Sequence, residues 1–210
     1  EYSGRMRKLP DWVHDGAIVG IQGGTERVRQ LVEKLQKEGA PIAAVWLQDW
    51  AGQRKTSLGK QPWWNWQLDR SRYPDWEALD KQLQAQHIRI LTYVNPFLVD
   101  IAASGRPGRN LFAEAREHGY LVTEPNGQPY MIPNTDFSAG LVDITNADAR
   151  KWWKDVIRTE VLGIGASGWM ADFGEALPYD ARLHSDAAPR AFHNQYPEEW
   201  ARLNREAITE

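Results

Sequence analysis

Short, nearly continuous apolar runs alternate along the chain with segments whose apolar positions recur at helical spacing. Ala17–Ile21 predicts a buried strand, ended by Gly23 and Gly24. Thr25 then predicts a helix N-cap, with Val28, Leu31, Val32 and Leu35 on one helical face. Gly39-Ala40-Pro41 stops that helix, and Ile42–Leu47 gives a second strand. Gln48 to about Arg72 reads as a long polar and aromatic loop. Pro74 marks the next helix start, with Trp76, Leu79 and Leu83 as its apolar stripe. Ile88–Val94 is the third strand, closed by Asn95-Pro96. From Phe97 to Pro133 the pattern is less regular, with a short helix at Asn110–His118 and a hairpin over Tyr120–Ile132 that turns at Asn126-Gly127. Leu141–Thr145 reads as a short extended piece, and Asn146 caps a helix reaching about Leu162. Gly168–Asp172 is the fourth strand, and a last helix covers about Glu198 to Ile208.

Four strands, each followed by a crossover containing a helix, predict a parallel sheet of the α/β class, covered on both faces. Polar residues gather where each strand ends: Gln22, Gln48 with Asp49, Asn95, and Asp172. In a (β/α)8 barrel of the TIM type all of these lie on the C-terminal rim, where active sites sit. A full barrel takes about 250 residues. The chain of 210 residues therefore reads as about the first four βα units. Residues 1–210 are then the N-terminal half of a catalytic barrel, with an excursion at about 97–140 between the third strand and its helix. The other reading is a complete open-sheet domain.

Charge and composition narrow the function. With 25 basic and 28 acidic residues there is no cationic excess to neutralise phosphates, so no nucleic-acid partner is expected. The longest apolar runs are strand-sized, which argues against a membrane span. Cysteine is absent, and Glu1–Pro10 has no apolar stretch to form a signal peptide, so a cytoplasmic location is expected. The histidines, His14, His87, His118, His184 and His193, show no close ligand pair, and Gly23-Gly24 lacks a full nucleotide-binding pattern. Neither a metal nor a cofactor is expected. The chain has 11 Trp, many beside polar residues, as in Trp46-Leu47-Gln48-Asp49-Trp50 and Trp63-Trp64-Asn65-Trp66. These suit either ordinary packing or a carbohydrate site, where indole faces stack on sugar rings and amides grip hydroxyls.

The sharpest segment is Gly168-Trp169-Met170-Ala171-Asp172-Phe173-Gly174-Glu175. It sets a carboxylate at the end of an apolar strand among aromatics, a placement suited to attack on an anomeric carbon. A strand-end Asp also commonly does no more than cap the next turn. The run Trp169–Glu175 resembles the nucleophile motif of glycoside hydrolase family 31, and within it the sulfoquinovosidase branch. Gly20-Ile21-Gln22-Gly23-Gly24-Thr25-Glu26, Trp46–Trp50, Trp64-Asn65-Trp66, Tyr93-Val94-Asn95-Pro96 and Gly119-Tyr120-Leu121 agree in order and spacing. The likeness covers nearly the whole chain.

The resemblance implies a retaining α-glycosidase that uses two carboxylates and no metal, acting on small carbohydrates. Asp172 matches the nucleophile. No residue here matches the acid/base, which is expected on the remainder of the barrel, so this segment alone should be inactive. Gln22 and Gln48 match glutamines that mark the branch, Trp64 matches a sulfonate-binding Trp, and Gln61 stands where the branch carries an Arg. Asp49 and Trp169 are weaker candidates for lining the pocket. The favoured substrates are α-sulfoquinovosides such as sulfoquinovosyl glycerol. A neutral α-glucosidase or α-xylosidase is the alternative, supported by Gln61, and a non-catalytic carbohydrate-binding module is a third reading. Lys60, Arg54 and Lys55 read as solvated loop charges, the other reading being that they compensate for the missing Arg.

Overall fold

A computed structural model describes residues 8–209; residues 1–7, most of the stretch read for a signal peptide, lie outside them. β1 (Ala17–Gly20) leads into α1 (Thr25–Lys37). β2 (Ile42–Trp46) is followed by the short strands β3 (Gln53–Thr56) and β4 (Gly59–Pro62), then α2 (Trp76–Ala85). Next come β5 (Arg89–Val94), β6 (Phe97–Leu98), α3 (Leu111–Glu117), β7 (Met131–Asn134) and β8 (Phe137–Leu141). α4 (Ala147–Val156), β9 (Gly168–Ala171), α5 (Pro189–Phe192) and α6 (Tyr196–Thr209) complete the described chain.

β1, β2, β5 and β9 form one sheet in that order, and each neighbouring pair is parallel. Spatial order follows chain order without a reversal. A doubly wound open sheet reverses at a switch point, whereas a barrel wall does not. The sheet is thus half the wall of a (β/α)8 barrel.

Strand side chains alternate between two faces. The register sets Ile18, Ala44 and Arg89 in one row and Gly20, Trp46, Leu91 and Gly168 in the next, followed by Tyr93 and Met170. On the opposite face Val45 and Ile90 are buried in the cluster that holds Val28 and Val32 of α1, Leu79 and Leu83 of α2, and Trp153 and Val156 of α4. That face carries the helices. The first face is the barrel interior, and on it Ile18 and Met170 are 45% and 46% exposed.

Several local expectations change. The N-cap of α1 is Gly24 rather than Thr25. The Thr25 hydroxyl instead donates to the Pro74 carbonyl at 2.7 Å. A Cβ at position 24 would lie 2.3 Å from the Arg72 carbonyl oxygen, at a φ of +90°, so only glycine fits there. The loop after β2 contains the antiparallel β3–β4 hairpin, which has no apolar alternation to announce it. Its one legible signal is Gly59, at φ 103°, closing the Ser57-Leu58 turn.

The hairpin expected over Tyr120–Ile132 forms in short form: Thr123 bridges Pro129, the Tyr130 amide donates to the Val122 carbonyl, and the Gly127 amide donates to the Glu124 carbonyl in the turn, while Thr123 also bridges Arg182. The main pairing is β7 with β8, and β6 joins on the far side. Pro133 fits in β7 because that strand is an edge. Leu141 closes β8, and the Asp143-to-Asn146 turn follows. Asn146 caps α4 by accepting from the Asp148 and Ala149 amides. The helix runs on through a π turn at Ile157–Val161 and a 3-10 turn at Leu162–Ile164. α6 starts at Tyr196, with Pro197 in its first turn, where proline is tolerated. Among the described residues no helix is long and apolar enough to cross a membrane.

Asn146→Ala removes both capping bonds and should cost about 1 kcal/mol, read as a lower urea midpoint with unchanged slope.

Candidate functional site

Asp172 stands one residue beyond β9, and its amide donates to the Val94 carbonyl at 2.9 Å, extending the ladder with β5. From α6 the Trp200 indole N–H donates to the Asp172 carbonyl at 3.1 Å. These bonds fix the backbone and leave the side chain on the interior face. There the Tyr93 hydroxyl donates to Asp172 Oδ2 at 2.7 Å, and Asn95 Nδ2 donates to that hydroxyl oxygen at 3.2 Å. Asn95 is itself held by the Phe97 amide. Burial raises the Tyr93 phenol above its ordinary range, opposed by Asn95 and reinforced by Asp172, so it is a donor at neutral pH.

The chain then bends sharply. Phe173 adopts φ 60° and Gly174 φ 118°. A left-handed phenylalanine costs on the order of 1–3 kcal/mol and persists only when its surroundings fix it. Here its ring packs edge-on against Trp64 at 5.6 Å and Phe97 at 5.7 Å. Trp64 also meets Phe137 at 5.1 Å.

A second cluster joins the ends of β1 and β2. Arg72 Nη2 donates to Gln53 Oε1 at 2.8 Å, Gln53 Nε2 to Gln22 Oε1 at 2.7 Å, and Gln22 Nε2 to Gln48 Oε1 at 2.6 Å. Arginine has only donors, so every amide in the relay points the same way. The relay ends at the Gln48 NH2, which is left as a donor. Arg72 is anchored by Asp49, a carboxylate with no exposed surface. Asp49 accepts from Arg72 Nε at 2.5 Å, from the Gly23 amide at 2.9 Å and from the Tyr73 hydroxyl. Burial and then the Asp49 charge push the Tyr73 phenol up, so it too remains a donor.

Five of the seven positions singled out in the sequence belong to these two clusters, and Trp169 and Gln61 do not. Gln22 and Gln48 are bonded to each other, and Trp64 packs on the residue next to Asp172. Asp49 has no surface to offer a ligand; it holds the relay from behind. Trp169 falls on the helix-facing side, one residue out of phase with Met170, and its indole N–H donates to Asn204 Oδ1 of α6 at 2.8 Å. Strand alternation alone would have placed it there. Gln61 lies apart, in β4, where its amide oxygen accepts from the Thr135 hydroxyl at 2.9 Å. Tyr93, Gln53 and Arg72 were not singled out as site residues; Tyr93 shares the interior parity of Asp172 and was legible on that ground. Most of the tryptophans prove to be packing: Trp50, Trp66, Trp76, Trp153 and Trp200 are fully buried. Trp46, Trp50, Trp66 and Trp76 donate to main-chain carbonyls. Arg54 is no solvated loop charge, since its guanidinium lies over the rings of Phe137 and Trp63.

Comparison with known proteins gives the family and the fold. The family described as "Glycosyl hydrolases family 31 TIM-barrel domain" matches residues 10–210. A sulfoquinovosidase of Escherichia coli (strain K12) is 39% identical over 207 residues, which are 99% of this chain and 30% of that protein. A sulfoquinovosidase of Agrobacterium fabrum is 38% identical over 206 residues, 98% of this chain and 30% of that protein. Among solved structures, a family 31 sulfoquinovosidase from E. rectale, in complex with an aza-sugar inhibitor, superposes with a TM-score of 0.91 at 44% identity. The superposition covers 99% of this chain and 30% of that one. The chain thus spans about 30% of the length of the relatives it matches.

Asp49→Asn leaves Arg72 without its counter-charge. Chemical denaturation should show a loss of about 3 kcal/mol, the scale of breaking a buried ion pair from one side.

Proposed function

The chain belongs to glycoside hydrolase family 31, and from that premise we propose that it forms half the catalytic barrel of a retaining α-glycosidase. The favoured substrates are α-sulfoquinovosides, sulfolipid-derived sugars such as sulfoquinovosyl glycerol. Residues 1–210 supply the N-terminal half of the barrel, and the segment at about 97–140 is the excursion beside its third strand. Asp172 is the nucleophile. Its carboxylate attacks the anomeric carbon from the face opposite the leaving group and forms a glycosyl ester, which water then hydrolyses. Tyr93 holds Oδ2 at 2.7 Å and thereby aims Oδ1 at the sugar. The acid/base carboxylate stands about 5–5.5 Å from the nucleophile in such enzymes. It comes from the remainder of the barrel, so this segment alone does not turn over substrate.

The substrate class rests on the amide relay. A carboxylate in place of Gln48 would repel an anionic sugar, whereas the relay directs the Gln48 NH2 outward as a donor. Gln22 and Gln48 read the sugar, Trp64 contributes its indole, and Asp49 and Arg72 fix the relay without touching substrate. Trp169 packs between strand and helix. The likeness to two sulfoquinovosidases supports the same reading.

One observation favours a neutral α-glucosidase or α-xylosidase instead. Gln61 is uncharged, and its oxygen is engaged by Thr135.

Two measurements on the complete enzyme test the proposal. Asp172→Asn should lower kcat on the order of ten-thousandfold, and undiminished turnover would remove Asp172 from its role. A paired assay on nitrophenyl α-sulfoquinovoside and the matching α-glucoside should favour the sulfonated sugar. Preference for the glucoside would transfer the assignment to the neutral-sugar reading.

A further inference from the structure

Asp172 leaves its strand with one hydrogen-bonding group that the sheet does not serve. In a parallel ladder, a residue whose amide donates to residue 94 of the neighbouring strand accepts in turn from residue 96. The Asp172 amide donates to the Val94 carbonyl. Residue 96 is Pro96, which has no N–H to return. The Asp172 carbonyl is therefore released from the ladder, and its partner is the Trp200 indole N–H at 3.1 Å. Among the described residues it accepts no other hydrogen bond.

That carbonyl belongs to the peptide joining Asp172 to Phe173. A flip of this peptide changes ψ of Asp172 and φ of Phe173 together. It would carry Phe173 from φ 60° back to the negative region and swing the oxygen away from Trp200. Strain at Phe173 favours the flip, and the indole bond opposes it. Packing of the Phe173 ring on Trp64 and Phe97 holds the side chain but gives the carbonyl no partner.

The surroundings of Trp200 fix the indole. The residue is 2% exposed, and its ring meets Trp153 of α4 at 5.7 Å. α6 is tied to β9 by the Trp169 indole on Asn204, whose Nδ2 donates to the Trp200 carbonyl at 2.8 Å. Arg150 of α4 holds Glu199 and Glu206 of the same helix. α6 can approach the bend because residue 174 is glycine. A Cβ there would lie 3.1 Å from Pro197 Cα, at a φ of +118°.

We propose that Trp200 is a positioning residue for catalysis; this rests on Asp172 being the nucleophile, as proposed above. Its indole N–H supplies the donor that Pro96 lacks. It keeps the Asp172–Phe173 peptide in the orientation from which the carboxylate attacks. Trp200 acts from the helix layer and touches no substrate.

Trp200→Phe in the complete enzyme keeps an aromatic body and removes the donor. Trp153→Phe is the control, because it makes the same change in the same α4–α6 seam at an indole N–H that has no acceptor. The readouts are thermal melts and steady-state kinetics on whichever nitrophenyl glycoside the wild-type enzyme prefers. Trp200→Phe should lower kcat about tenfold to a hundredfold while KM stays within about twofold, as for a lost alignment. Trp153→Phe should lower the melting temperature and leave kcat at the wild-type value. If Trp200→Phe does not fold, benzothienylalanine at position 200, which keeps the indole shape without the N–H, decides on the same criterion. An undiminished kcat, with or without a higher KM, or an equal loss in both variants, overturns the positioning role while Asp172 stands. Undiminished turnover by Asp172→Asn overturns both.

Discussion

A carboxylate with no exposed surface has to be surrounded by donors, and Asp49 meets that demand by drawing two other segments onto the end of β2. The Gly23 amide comes from the end of β1, and Arg72 and Tyr73 come from the far side of the long loop after β2. Satisfying one charge therefore fixes the mouth of β1, the exit of β2 and the return of the loop. The glycine at position 24 follows from the same closure, because the Arg72 carbonyl is pressed against it. The orientation of three glutamine amides is set from this buried point rather than by anything at the surface. The cost of desolvating Asp49 is met by geometry that the rim needs in any case.

The fold was legible because the four wall strands write themselves as apolar runs, although only β2 and β5 are largely buried and β1, expected to be buried, is mostly exposed, and Gly, Pro and Asn punctuate the helices between them. Asn146 is a cap by its chemistry and behaves as one. The β3–β4 hairpin was hidden because both of its faces are polar, and pairing specified by turn geometry and tertiary docking leaves no period in the sequence. Thr25 misled for a related reason. Its hydroxyl is as good a donor to a distant carbonyl as it is a cap, and the distant partner won.

The candidate site was legible where strand parity and strand ends coincide. Gln22, Gln48, Asn95 and Asp172 end their strands, and Tyr93 shares their face. Trp169 and Asp49 were drawn in by adjacency along the chain, which in a strand means opposite faces. The tryptophans show how composition can mislead. An indole is both a large apolar body and a single donor, so a barrel wall can use it to fill space and satisfy a carbonyl at once. Only Trp64 stands in the aromatic group beside Asp172 without an indole bond to a protein partner among the described residues.

The order of the sheet has a kinetic consequence. Because β1, β2, β5 and β9 are neighbours in the order of synthesis, each new strand finds its partner already in place on the preceding one. The wall can grow a unit at a time, with modest loop closure at each step except across the long segment between β5 and β9. Throughout that growth the leading strand is an open edge, and the apolar interior residues Ile18 and Met170 stay in contact with water. A nascent barrel of this kind is exposed to wrong pairing for as long as its circle is open, and ring closure, more than the burial of any single helix, ends that exposure.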